Sequence, residues 1–106
     1  MGLYYKSLVS RFSSFPRHQQ LLLVCNELNR AISRSEHWEQ QRLHLGLALE
    51  LIDFILADRK QWTGKYKEIC RAREMIARGW NGVDLDLNSL VRNLMLLTPE
   101  SAGVNG

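Results

Sequence analysis

The spacing of the apolar residues most constrains what this chain can fold into. Between Leu21 and Leu97 they recur at steps of three and four positions, which is the period of an amphipathic helix with one buried side. No segment alternates apolar and polar residues with the period of two that is typical of a half-buried strand. The pattern therefore predicts an all-α fold.

Local signals divide this pattern into four helices. Ser14 and Pro16 are a capping hydroxyl and a first-turn proline, and Gly79 and Gly82 suit the end of a helix. The predicted helices cover residues 16–33, 36–58, 62–78 and 86–97. Because their connections are short, successive helices should be antiparallel neighbours. We expect an up-down four-helix bundle at 16–98, an apolar N-terminal arm at 1–15 and a frayed tail at 99–106.

Length and composition are typical of one domain that folds without help. The chain has 106 residues, of which 45% are hydrophobic and 24% charged, close to the globular average. It has no apolar run long enough for a membrane span and no signal-peptide core, so we expect a cytoplasmic location and no membrane partner. Cys25 and Cys70 lack the spacing of a zinc site or a disulfide framework, and we expect both to be reduced thiols in the core.

The polar residues predict no catalytic chemistry. His37 and His44 are seven positions apart, whereas a helical metal site needs ligands three or four positions apart. The sequence has no glycine-rich phosphate loop and no nucleophile elbow. We therefore expect no enzyme activity, no cofactor and no metal. The net charge of +3 comes from bases interspersed with acids, which disfavours nucleic acid as a partner.

The second helix and the arm favour another protein as the partner. Apolar residues cover two adjoining faces of the second helix, which is a surplus over one buried side. The arm is too apolar for a solvated tail, so we expect it to cover a groove of the bundle until a partner helix displaces it. The residues predicted to bind the partner are Tyr4, Tyr5, Leu8, Phe12, Trp38, Leu47, Leu51, Phe54 and Trp62.

Two other functions stay open from the sequence. The same apolar surplus could be buried between two copies in a symmetric homodimer. A small basic nucleic-acid-binding protein is the other alternative, with cations such as Lys65 and Arg71 on its surface. The tryptophans near helix ends, Trp38, Trp62 and Trp80, favour packing at the rim of the core with the indole N–H in water, and a partner groove is the alternative.

Parts of the chain resemble the flagellar secretion chaperones of FliS type. The opening of that family is similar to Tyr5-Lys6, Ser14-Phe15-Pro16 and Gln20-Leu21-Leu22-Leu23-Val24, and its second and third helices are similar to residues 48–52 and 64–75. Asn26-Glu27-Leu28 stands where the family usually has Tyr-Asp-Gly. Over residues 5–97 the resemblance implies a helical-bundle chaperone that holds a segment of an export substrate on its surface and delays its assembly.

Overall fold

The computed structural model describes residues 11–58 and 60–98 of the chain. A single 3₁₀ turn at Phe12–Ser14 precedes four helices, which are α1 at Arg17–Ser33, α2 at Trp38–Ala57, α3 at Tyr66–Trp80 and α4 at Leu87–Met95. This described part contains helices and turns but no strand, so the predicted all-α four-helix fold is confirmed. Residues 1–10 of the predicted arm and the predicted tail at 99–106 lie outside the described residues.

The second helix, α2, lies at the centre of the bundle. Near one of its ends Gln41 Nε2 donates to the Ala31 carbonyl at 3.2 Å, and at the other Gln20 of α1 donates to Asp58 at 3.2 Å, so α1 and α2 are antiparallel. The third helix packs antiparallel on another side of α2. The fourth helix packs on α1 and makes only slight contact with α3, so the bundle is open along the α3–α4 side.

Apolar side chains at the predicted spacing form the core. Those that are buried in the helices are Leu21, Val24, Cys25, Leu28 and Ala31 in α1, Leu45, Leu47, Ala48, Leu51, Ile52 and Ile55 in α2, Ile69, Ala72 and Ile76 in α3, and Leu87, Leu90 and Leu94 in α4. Burial of one such aliphatic side chain stabilises the fold by about 1.5–3 kcal/mol.

Leu43, which belongs to the second, surplus apolar face predicted for α2, is exposed. One side chain that was expected in the core is exposed as well. Cys70 is exposed on α3, and only Cys25 is a buried thiol. Cys70 follows the buried Ile69 by one position, and one position turns a helix by about 100° away from the core.

A polar cluster closes the end of the bundle where α1 begins and α2 ends. Trp62 was expected to begin the third helix with its N–H in water, but it lies in the turns before α3 and is fully buried. Its Nε1 donates to Gln20 Oε1 at 2.8 Å, and Gln20 Nε2 donates to the Phe12 carbonyl at 3.0 Å. The third helix starts at Tyr66 because the chain first turns at Gly64, whose φ of 89° is in the left-handed region.

A buried carboxylate joins α1 to α2 near the middle of both helices. Glu27 Oε1 lies 2.8 Å from His44 Nδ1, and Glu27 Oε2 accepts a hydrogen bond from Arg30 Nη1 at 2.8 Å. The Glu27 side chain is buried, whereas Arg30 reaches solvent. These contacts provide the hydrogen bonds that a buried charge requires.

Candidate functional site

The outer surface of α2 carries the candidate site. Trp38 is 46% exposed and Leu43 is 55% exposed, so two large apolar side chains of one helix face solvent. They border a groove with a volume of about 590 Å³ between α2 and the end of α3. We call it the α2 groove and define it by Trp38, Leu43, Gly46, Leu47 and Trp80. Exposed apolar surface that continues into a groove is typical of an interaction site.

Gly46 shapes the floor of the α2 groove. A Cβ at this position would lie 3.2 Å from Trp80 Nε1, which is tighter than ordinary van der Waals contact. The glycine therefore lets the Trp80 indole lie directly against α2. A glycine inside a helix costs about 1 kcal/mol relative to alanine, and the close approach of Trp80 gives that glycine a structural role.

Arg42, which lies one turn before Gly46 on α2, also contacts Trp80. Its guanidinium carbon lies 3.7 Å from the centroid of the Trp80 ring, and its Nε donates to the Trp80 carbonyl at 2.9 Å. A cation over an indole face contributes about 0.5–1 kcal/mol at an exposed site. Arg42 thus fixes the end of α3 to α2 and gives the groove a wall of defined position.

The length of the α2 groove matches that of a short helix. Its lining runs along α2 from Trp38 to Glu50, which corresponds to about 18 Å at 1.5 Å per residue. Leu43 and Leu47 are four positions apart and so lie in one row along the helix axis. A ligand of about three helical turns would cover this length.

The predicted partner-binding residues fall into distinct environments. Trp38 and Leu47 line the α2 groove, and Leu47 contributes to its buried floor. Phe54 is partly buried, and its ring centroid lies 5.3 Å from that of Phe12. The members that lie outside the described residues are Tyr4, Tyr5 and Leu8.

Three of the predicted partner-binding residues are core residues. Phe12, Leu51 and Trp62 are buried in the bundle, so a partner on the surface of this fold does not touch them. Burial of Leu51 follows from its place between Ala48 and Ile55 on the core side of α2. Trp62 can be fully buried because its indole N–H donates a hydrogen bond to Gln20 inside the bundle.

Several groove residues were not among the predicted binding residues. Leu43 was placed on the surplus apolar face of the second helix but was not named as a binding residue. Trp80 was assigned to the stripe of the third helix, with a partner groove as the alternative, and Arg42 and Gly46 were given no role. The signal in the sequence was Gly46, because a glycine inside a strongly apolar helix often marks the close approach of another group. The identity of that group, Trp80, requires knowledge of how α3 packs on α2.

A second concave surface follows the gap between α3 and α4. Its volume is about 430 Å³. The apolar lining comes from Ala72 and Met75 of α3, from Leu90 and Leu94 of α4, and from Leu97, which follows α4. The surface exists because α4 packs mainly on α1 and makes only slight contact with α3. This surface was not predicted, since a closed bundle was expected to cover it.

The described residues place no metal-binding group in either surface. Across 11–58 and 60–98, no three His, Cys, Asp or Glu side chains come together as metal ligands would. In the same part of the chain, none of the helices combines the length and apolar character needed to cross a membrane.

Comparison with known proteins identifies no family for this chain. No model of a protein family matches the sequence, and neither a curated protein nor a solved structure matches it. The resemblance to flagellar secretion chaperones therefore stays a prediction.

Proposed function

We propose that this protein binds an α-helical segment of another protein in the α2 groove. The observation that carries the proposal is the exposure of Trp38 and Leu43 beside the half-buried Trp80. Tryptophan is enriched among residues that dominate binding energy, because a large ring loses much water-exposed area for little conformational entropy. A helix laid in an apolar groove is a common way to use such a surface.

The groove also specifies the chemistry of the partner helix. Its length of about three turns suits apolar anchors at positions i, i+3 or i+4, and i+7. Carboxylates stand on its rim at Glu39 and Glu50, while the cation Arg42 is stacked on Trp80. A partner with Lys or Arg beside its apolar anchors would be attracted to this rim, which mainly raises the association rate.

The resemblance to FliS-type chaperones supplies a finer form of the proposal. In that form the partner helix belongs to an export client, and the bundle holds it in the cytoplasm until secretion. The open α2 groove supports the helix-holding part of this idea. The client and the pathway rest on the resemblance alone.

The test compares two exposed leucines that differ in their relation to the groove. Leu43 borders the α2 groove, whereas Leu96, at 68% exposure, follows α4 on another face. The substitutions Leu43→Glu and Leu96→Glu each replace an exposed leucine with a negatively charged side chain, so they differ only in position. We expect a native partner to be captured by the wild type and by Leu96→Glu, and to be captured at least tenfold less by Leu43→Glu.

A synthetic peptide is then made that corresponds to the helical segment of the captured partner. The dissociation constant of this peptide is measured for the wild type, Leu43→Glu and Leu96→Glu. Circular dichroism must show equal helix content in the three. Equal affinity of the peptide for Leu43→Glu and wild type would rule out the α2 groove as the binding site. If light scattering instead shows a wild-type dimer that Leu43→Glu converts to a monomer, the occupant is a second copy of the chain.

A further inference from the structure

The gap between α3 and α4 is an apolar groove that no helix of the described part of the chain covers. We call it the α3–α4 groove. Ala72, Leu90 and Leu94 form its buried floor. Its lining runs along α4 from Asp86 to Leu97, which corresponds to about 16 Å at 1.5 Å per residue. A second helix of up to about three turns fits along this length.

The side of α4 next to this groove carries a surface suited to the same groove of another copy. Arg92 and Leu96 are four positions apart and lie in one row, since the Leu96 backbone is still helical. The row adjoins the edge of the groove, because Arg92 Nη2 donates at 3.1 Å to the hydroxyl of Ser89, which lines the groove. Leu96 is 68% exposed. With 9 residues, α4 is about 14 Å long and fits within the groove.

The charges beside the groove are complementary between two copies. Glu68 borders the groove from the first turn of α3, and within residues 11–58 and 60–98 it has no hydrogen-bond or ion-pair partner. The other carboxylate of the groove, Asp86, is engaged with Ser89 as the cap of α4. Arg92 is exposed, and its guanidinium bonds a neutral hydroxyl. Each chain therefore offers an exposed cation on α4 and an exposed carboxylate across the groove on α3.

We propose that two copies of this chain associate about a two-fold axis, with α4 of each copy lying along the α3–α4 groove of the other. Leu96 of one copy then covers apolar surface of the groove, and Arg92 faces Glu68 of the other copy. Two-fold symmetry makes each of these contacts twice, because one chain carries both halves of the interface. The dimer considered from the sequence would instead bury the apolar surplus of α2. Since each copy contributes one short helix, the dimer is weak and dissociates on dilution.

The test measures the dimer dissociation constant of the full-length protein by sedimentation equilibrium at low ionic strength. We expect a concentration-dependent dimer for the wild type. Glu68→Arg and Arg92→Glu each place like charges opposite one another at both symmetry-related positions, so each should raise the constant at least tenfold. Glu74→Arg, at an exposed position of α3 outside the groove, makes the same charge change and should leave the constant within about twofold. Circular dichroism must show equal helix content in all variants.

An equimolar mixture of Glu68→Arg and Arg92→Glu separates this interface from a general effect of charge. In the mixed dimer the introduced arginine faces the introduced glutamate, and the native Arg92 of one chain faces the native Glu68 of the other. Both pairs are then attractive, so the mixture should associate within about threefold of the wild-type constant.

Three results would overturn the proposal. They are a wild-type protein that stays monomeric at the highest attainable concentration, a dimer that neither charge reversal weakens, and a mixture that associates no better than the single variants. A dimer that is lost in Leu43→Glu and kept in Arg92→Glu would also overturn it, in favour of a second copy in the α2 groove. The α2 groove is complete within one chain, so helix binding there and association through α4 stand or fall separately.

Discussion

Gln20 joins segments that are far apart in the sequence. Its amide nitrogen donates to the carbonyls of Phe12 and Phe15, and its amide oxygen accepts the indole N–H of Trp62, which is 42 positions away. The residue is fully buried, and no buried side-chain nitrogen or oxygen in the described part of the chain lacks a partner. One side chain thereby orients the 3₁₀ turn, α1 and the turns before α3.

We predict that Gln20→Leu lowers the free energy of unfolding by roughly 1–3 kcal/mol, because it leaves the Trp62 N–H buried without an acceptor. Gln40→Leu, at an exposed position of α2, should change it by less than about 0.5 kcal/mol. Urea unfolding measures both.

A double-mutant cycle isolates the bond itself. In a Trp62→Phe background there is no N–H to satisfy, so Gln20→Leu should cost about 1 kcal/mol less than it does in the wild type. Equal costs in both backgrounds would show that the Gln20–Trp62 bond contributes nothing to stability.

The sequence was informative about residues whose environment depends on their own helix alone. Leu28 and Ile52 were predicted to be buried, since they belong to an apolar stripe, and they are. The burial of Gln20 and Glu27 was not predicted, because a polar side chain is buried only where distant partners meet it. Cys70 was misplaced because its assignment came from the average behaviour of cysteine rather than from its position on α3.

Among the four described α-helices, α4 is the shortest and the one whose N-cap side chain accepts a backbone hydrogen bond. Asp86 accepts hydrogen bonds from the Ser89 amide at 3.1 Å and from the Ser89 hydroxyl at 2.7 Å. These bonds hold the pKa of Asp86 below its usual value of 3.8. The helix has only 9 residues and one extensive neighbour, α1, so its local stability should be low.

We predict that Asp86→Ala speeds amide hydrogen exchange at Leu90 and Leu94, because the first turn of α4 loses its side-chain acceptor. Asp84→Ala, which changes an exposed residue of the same loop that does not cap the helix, is the matched control. Since the folded-state pKa of Asp86 is lowered, the cap stabilises α4 above pH 3.8 and is lost as the pH falls through the lowered pKa. Unchanged exchange in Asp86→Ala would contradict this role.

At the level of the whole molecule, the two cysteines report on global opening. Cys25 is buried in α1 and Cys70 is exposed on α3, and burial raises the pKa of Cys25 to about 12. A thiol reacts as its thiolate, so Cys25 is protected by both its pKa and its inaccessibility.

We predict two phases when the native protein reacts with a thiol reagent at neutral pH, a fast one that is lost in Cys70→Ser and a slow one that requires the core around Cys25 to open. The thiol also makes stability fall between pH 9 and about 12, because the unfolded state loses the Cys25 proton from pH 9.0 while the folded state keeps it. Cys25→Ala should remove that contribution. Fast labelling of both cysteines in native conditions would show that α1 is not a stable part of the core.

The fold was more predictable than the candidate site because the two depend on different information. Helix number and type follow from local periodicity, and the four predicted helices each overlap an observed one. The α2 groove depends on which side of α2 receives α3, and on the contact of Trp80 with Gly46 and Arg42. The sequence could therefore place Leu43 on a surplus apolar face of α2, but it could not place Leu43 beside Trp80.

The packing of α4 on α1 has a consequence for synthesis of the chain. Because α1 precedes α4 in the chain, α1 leaves the ribosome before α4, which covers one side of it. During that interval α2 and α3 can assemble beside α1, but its α4-facing apolar surface stays open to water and to other chains. A message cut short before residue 87 would thus yield a helical product with this surface permanently uncovered, a candidate for aggregation and proteolytic removal.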